Sequence, residues 1–148
     1  MDMKIYLGAD HGGFAMKELA KQWFKGMGTE VIDVGAESLE AEDDYVDYAT
    51  KVVREVRRDL SSRGVLFCRN GMGMVIAGNR IAGVRCGLAF DIEAVRRART
   101  DDDINCLSVP SDYVTFEKAK EMIEVFLKTE KSGEARYARR LKKIAEIN

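Results

Sequence analysis

A chain of 148 residues, 46% apolar and 33% charged, holds enough material for one sizeable core and excludes a disordered or fibrous protein. Its 24 basic residues against 25 acidic ones give no global field toward nucleic acid or an anionic membrane surface. No run reaches the ~20 apolar residues of a membrane span, and the first residues lack the layout of a secretion signal.

The elements alternate. Residues 4–9 form a short β-favouring run, and 14–27 carry Phe14, Leu19, Trp23, Phe24 and Met27 as the apolar stripe of an amphipathic helix. A second strand over 30–34 leads through an acidic connection (37–43) to a helix over 44–60, with Tyr45, Tyr48, Val52, Val56 and Leu60 as its core face. Residues 64–68 are apolar throughout, as a strand covered on both faces should be. Residues 70–79 mix glycine with apolar side chains as a loop running into a helix. A fourth strand (84–90), an arginine-rich helix (91–99), a fifth strand (105–109) and helices over 114–128 and 133–146 complete the chain. Strand and helix alternate at the spacing of βαβ units. The expected fold is α/β: a single doubly wound, Rossmann-like, three-layer domain over 1–148, with a five-stranded parallel sheet and an extra C-terminal helix. Apolar Leu141, Ile144 and Ile147 on that last helix either meet a second copy or pack back on their own domain.

Asp10 and His11 stand where the first strand ends, the edge at which open parallel sheets bind ligands. His11 is the only histidine in the chain, and so its only side chain that ordinarily changes charge near neutral pH. Asp10 either orients a ligand or caps the next helix. Cys68, Arg69, Asn70, Gly71, Met72 and Gly73 follow the third strand; glycines there expose N–H groups at a helix N-terminus, a nest for phosphate or oxyanion. The same terminus lowers the pKa of a thiol, which makes Cys68 a candidate base, although a small buried hydrophobe also fits. Cys86 and Cys106 sit in apolar strands as core residues, and the absence of a close cysteine pair fits a reduced, cytoplasmic setting. Arg136 and Arg140 share one helix face and can clamp one phosphate, or are simply solvated. Asp101, Asp102 and Asp103 precede the fifth strand, again placed on the ligand edge. No cluster has zinc spacing, so no metal is expected.

Together these residues resemble the ribose-5-phosphate isomerase B and galactose-6-phosphate isomerase family. The likeness rests on Asp10-His11-Gly12-Gly13-Phe14, the run 30–35, Asp44-Tyr45 with Asp47-Tyr48-Ala49, Cys68-x-x-Gly71-x-Gly73, 77–80, Gly83-Val84-Arg85, Asp103-Ile104-Asn105-x-Leu107, and Arg136-x-x-x-Arg140. It implies an aldose–ketose isomerase that uses neither metal nor cofactor, acts on a small sugar phosphate through a cis-enediolate, and works as a homodimer or homotetramer with shared sites. By the same resemblance Cys68 moves the proton between C1 and C2, and N–H groups around Gly71 and Gly73 hold the enediolate oxygen. Asp10 holds substrate hydroxyls with Tyr45 near the pocket, and His11, Arg136 and Arg140 bind phosphate.

The chain departs from the family pattern in places. Cys68-Arg69-Asn70-Gly71 replaces Cys-Gly-Thr-Gly, and Met74 stands where one branch carries a glutamate base. Asp101 and Asp102 replace His-Asn, Asp112 replaces an arginine of the phosphate site, and Tyr137 replaces a histidine. Asp101 thus becomes the candidate for ring opening and Asp102 a substrate contact, while Arg69 is a candidate to offset the lost arginine. A non-catalytic phosphosugar-binding homologue or partner subunit, and another pentose or hexose as substrate, are the alternative readings.

Overall fold

Alternation in the apolar strands decides the layering. The computed structural model describes residues 3–147. β1 (Ile5–Ala9), β3 (Arg63–Cys68) and β5 (Cys106–Pro110) form the middle of a parallel sheet, with β2 (Ile32–Asp33) and β4 (Cys86–Leu88) at its edges, in the order β2-β1-β3-β5-β4. Successive side chains of a strand point to opposite faces. Ile5, Leu7, Ala9, Val65, Phe67, Leu107 and Val109 accordingly meet one core, while Tyr6, Leu66, Cys68 and Cys106 meet the other. The first core lies under α1 (Phe14–Gly26), α4 (Ile92–Asp102) and α5 (Phe116–Lys128). The second lies under α2 (Tyr45–Arg58) and α3 (Met72–Gly78). This is the expected three-layer α/β arrangement. α6 (Ala135–Ala145) packs against α4, and no described helix is long and apolar enough to cross a membrane.

The chain leaves β1 for β2 on one side and returns to β3 on the other. The topological switch point, where doubly wound sheets take their ligands, therefore lies between β1 and β3. Ala9 pairs with Phe67, so Asp10 and Cys68 emerge on adjacent strands beside that point.

Several boundaries and faces differ from the sequence expectation. β2 shrinks to two residues, but the ladder continues in the loop: Ala9 N–H donates to Gly35 O (2.8 Å) and Ala36 N–H to Ala9 O (3.1 Å). α4 runs to Asp102, so Asp101 and Asp102 are helical and Asp103 caps the helix at φ 45°. Leu19 and Met27 are exposed; α1 instead turns Lys17, Ala20 and Phe24 inward. On α2 the buried face is Ala49, Val52, Val53 and Val56, with Tyr45 and Leu60 at the surface.

Lys17 is the unexpected core residue. Its side chain is fully buried, and its Nζ donates to Asp33 Oδ1 (2.9 Å), to Asp33 Oδ2 (2.7 Å) and to the Ala36 carbonyl. A buried ammonium is tolerated only when paired and hydrogen-bonded in this way. The pair ties α1 to the loop that prolongs the β1 ladder, where Ala36 bonds to Ala9, the residue before Asp10. Burial alone would raise the pKa of Asp33, but hydrogen bonds from Lys17, Lys21 and the Gly35 N–H outweigh it and hold the carboxyl below its usual range. A carboxyl depressed in the folded state contributes stability above its unfolded pKa, about 4, and loses it as pH falls through the folded value. Thermal unfolding followed by circular dichroism should show the melting temperature dropping below about pH 4, with a shallower drop in Asp33→Asn.

Candidate active site

Short strands ending together put Asp10, His11 and the 69–71 turn at one sheet edge. Asp10 Oδ1 accepts the Gly13 N–H (3.1 Å), which closes the turn ahead of α1. Asp10 is thus a turn-holding residue rather than the N-cap, which is Gly13. A Cβ on Gly13 would lie 2.1 Å from the Phe67 carbonyl oxygen, so this close strand-to-turn approach requires glycine. The Asp10 carboxyl is pushed up by burial first; the Gly13 N–H and His11 oppose the shift and Asp43 adds to it.

Cys68 ends β3 with 4% exposure. Its Sγ accepts the Gly71 N–H at 3.1 Å, and Gly71 can turn there because its φ is 77°. Burial raises the thiol pKa; the N–H groups of Gly71, Met74 and Asn70 oppose it, and the nearby Asp10 charge adds to it. This corrects the expectation of a lowered pKa: desolvation outweighs the helix terminus, and the resting group is a thiol. Cys106 is pushed up to about 12 and Cys86 well above the ordinary value, both by burial, as inert core thiols would be.

The turn is held from both sides. Ser108 Oγ donates to the Gly71 carbonyl (2.8 Å), and Asn70 Oδ1 accepts the Met72 N–H (3.0 Å). The Tyr45 ring lies against Gly73, where a Cβ would come within 2.7 Å of it. Arg69 packs over Gly12 and pairs with Asp112 (3.3 Å); both side chains are exposed, so the pair is worth under about 1 kcal/mol. Arg69 is therefore engaged with the very acid whose effect it was a candidate to offset.

Two contributors were not visible in the sequence reading. Asp43, at the end of the acidic connection, has a side chain only 4% exposed, and its Oδ1 is 2.7 Å from His11 Nδ1. Nothing in a run of surface acids marks the one that folds inward. Ser108 gave a faint signal as the polar residue within an apolar strand. Asp10, His11 and Asp43 offer one ligand atom each within 4.8 Å of one another. A cation there would have to break the His11–Asp43 hydrogen bond, so the donors fit an imidazole–carboxylate pair better than an ion cage.

A family model described as Ribose/Galactose Isomerase matches residues 5–144. The chain belongs to the ribose/galactose isomerase family. It is 31% identical over 145 residues to the ribose-5-phosphate isomerase B of Mycobacterium leprae, covering 98% of this chain and 90% of the relative. The ribose 5-phosphate isomerase of Thermotoga maritima shares its structure with a TM-score of 0.94 at 37% identity, over 99% of this chain and 100% of the other. The ribose-5-phosphate isomerase B of Mycoplasma genitalium, solved with bound ribulose-5-phosphate, gives a TM-score of 0.93 at 31% identity, over 98% and 95%. The resemblance seen in the sequence motifs is borne out.

Within this member of the ribose/galactose isomerase family, one chain gathers only part of the predicted set. Asp10, His11, Cys68, Arg69, Asn70, Gly71, Gly73 and Tyr45 lie at the C-terminal edge of β1 and β3 or on the turn beside it. Asp101 and Asp102 do not join them. They precede β5 in a parallel sheet and therefore lie at the opposite edge, which corrects their placement on the ligand edge. Asp101 is bonded to Thr100 Oγ1 (2.8 Å) and paired with Arg97 (3.1 Å). Arg136 and Arg140 both lie over the Tyr137 ring, at 4.7 and 5.5 Å, and Arg136 also pairs with Glu134. Among the described residues, neither arginine bonds to the Asp10–Cys68 edge.

Proposed function

We propose that this chain is an aldose–ketose isomerase of a sugar phosphate, with ribose 5-phosphate and ribulose 5-phosphate as the default pair. The observation that carries the reading is the adjacency of Asp10 and Cys68 at the switch point, with backbone N–H groups at the turn between them and α3. Isomerisation through a cis-enediolate needs a base, an oxyanion site and an anchor for the unreactive phosphate. Cys68 removes the proton from C2 of the open aldose and returns it to C1, while the hydroxyl proton moves from O2 to O1. Of the N–H groups around Gly71 and Gly73, that of Gly71 is held by Cys68 Sγ and that of Met72 by Asn70 Oδ1 in the resting state; the Gly73 N–H meets the enediolate oxygen first, and the other two join it when they exchange their resting partners for the oxyanion. The negative charge is thus met by the backbone, and the path calls for no metal.

Asp10 orients substrate hydroxyls, Tyr45 borders the pocket, and His11 with Arg136 and Arg140 anchors the phosphate. Arg136, Arg140, Asp101 and Asp102 lie away from this edge, and so reach it from a second copy. A homodimer with shared sites is the smallest assembly that supplies them. Ring opening is assigned to Asp101, with Asp102 beside it as a substrate contact. Three free cysteines fit a reduced, cytoplasmic setting.

A coupled assay across pentose and hexose phosphates tests the reading. Turnover is expected with at least one of them, ribose 5-phosphate first. Tight binding with no turnover of any would favour a non-catalytic phosphosugar-binding homologue. Asp112, in the place of the family's arginine, makes the hexose and other pentose arms of the assay necessary.

A further inference from the structure

The Asp43–His11 contact is built in a way that the reaction outlined above does not use. One oxygen, Asp43 Oδ1, meets both the His11 backbone N–H (3.1 Å) and His11 Nδ1 (2.7 Å). The backbone N–H can only donate, so Oδ1 is an acceptor. An ionised carboxylate oxygen has no hydrogen to give, so Nδ1 carries the hydrogen and donates as well. The contact therefore fixes the tautomer: Nδ1–H is committed inward and Nε2 is the one ring nitrogen left for a ligand. The double grip holds the imidazole by its backbone and its ring together, across 32 residues of sequence. The histidine is 28% exposed while the carboxylate is almost wholly covered, so the ring is the accessible end of the pair.

The remaining oxygen strengthens the case. Asp43 Oδ2 is buried without a hydrogen-bond partner. The Tyr48 phenol also faces Asp43: burial raises its pKa, and the charge and hydrogen-bonding contact of Asp43 add to the shift. A covered carboxylate with no short hydrogen bond to one oxygen depends the more on the two that its other oxygen accepts from His11. We propose that Asp43 is a positioning residue: it holds His11 as the Nδ1–H tautomer and leaves Nε2 to meet an oxyanion of the substrate. The inference rests on the reading of His11 as the contact to the phosphate. It adds a residue, a tautomer and a division of labour, with the carboxylate inside, the imidazole between and the anion outside.

Because His11 is the only histidine, nitrogen NMR of the whole labelled protein shows a single pair of ring resonances. At alkaline pH, where the ring is neutral, Nδ1 should be the protonated nitrogen, against the Nε2–H preference of free histidine. Inorganic phosphate, and separately ribose 5-phosphate, should shift the Nε2 resonance. Asp43→Ala should revert the tautomer and raise KM by about tenfold or more, the scale of loss when a carboxylate that orients an imidazole is removed, with kcat within about threefold. Asp43→Asn, which keeps an oxygen acceptor, should restore the tautomer and recover part of KM. An Nε2–H tautomer in the unmodified protein overturns the inference, and that spectrum does not depend on whether any variant folds. An unchanged tautomer and KM in Asp43→Ala overturns it equally. The expected spectra and phosphate response without turnover of any sugar phosphate would remove the isomerase reading while leaving the Asp43–His11 assignment in place.

Discussion

Cys68→Ala should reduce turnover by about 10²–10⁴-fold, the usual contribution of a positioned general base, with little change in KM. The thiol's surroundings explain both numbers. Sγ lies under the turn and accepts the Gly71 N–H, so removing it deletes the proposed proton-transfer group while leaving the strand and its partners in place. Circular dichroism of the variant should match that of the unmodified protein. The direction of the pKa shift adds a second expectation. Burial holds the group as a thiol at neutral pH, whereas the proposed base is the thiolate, so kcat/KM of the unmodified protein should climb as pH rises into the alkaline range. Activity within tenfold in Cys68→Ala would remove the cysteine from the role of base and shift attention to Asp10, whose pKa burial also raises.

The largest effect on stability should come from Asp33→Ala. It leaves Lys17 Nζ fully buried with the Ala36 carbonyl as its remaining hydrogen-bond partner and the partly exposed Glu18 carboxylate, 3.5 Å away, as its remaining counter-charge. Breaking a buried pair from one side costs about 3–5 kcal/mol because a buried charge loses its main partner. For a domain of this size that corresponds to a fall of roughly 6–20 °C in melting temperature. Removing the ammonium as well, in Lys17→Met with Asp33→Ala, should be less harmful than Asp33→Ala alone, since a buried pair can often be replaced by apolar packing at little net cost. Because the pair backs the loop that prolongs the β1 ladder, the single variant should also weaken substrate binding at Asp10 and His11. A double variant no more stable than Asp33→Ala would mean that the ion pair is not what holds this corner.

These two residues show unequally what the chain displays in one dimension. Cys68 is legible because β3 is apolar almost throughout and its end is followed by glycines, so the strand falls within a residue of its expected bounds and the turn into a helix follows it. Lys17 is not. A helix face is chosen from the sequence by hydrophobicity, and that criterion selects Leu19 and Met27, which are exposed, over a lysine that is buried through its partner. The partner, Asp33, sits in a strand of two residues whose pairing is carried on by backbone bonds of Gly35 and Ala36, which leave no side-chain pattern.

The site divides along the same line. Asp10, His11 and the glycine turn are local to strand ends and could be read from order alone. Asp43 reaches His11 from a connection that reads only as an acidic stretch, since which surface acid folds inward depends on the path of the loop. Asp101 and Asp102 were set on the wrong edge because the residues before a parallel strand lie where it begins, opposite the ends of β1 and β3. Arg136 and Arg140 share a face as their spacing implies, but that face meets Tyr137 rather than the site of the same chain.

The central claim is that this site removes a proton from carbon, and the most direct test is proton NMR of the reaction in deuterium oxide. Ribose 5-phosphate, with a panel of other pentose and hexose phosphates and free sugars, would be incubated with the unmodified protein and with Cys68→Ala. The expected result is ketose phosphate with deuterium at C1, and deuterium at C2 of the recovered aldose, for at least one phosphate and only with Cys68 present. Neither product nor label with any sugar, or equal labelling in both proteins, would contradict it.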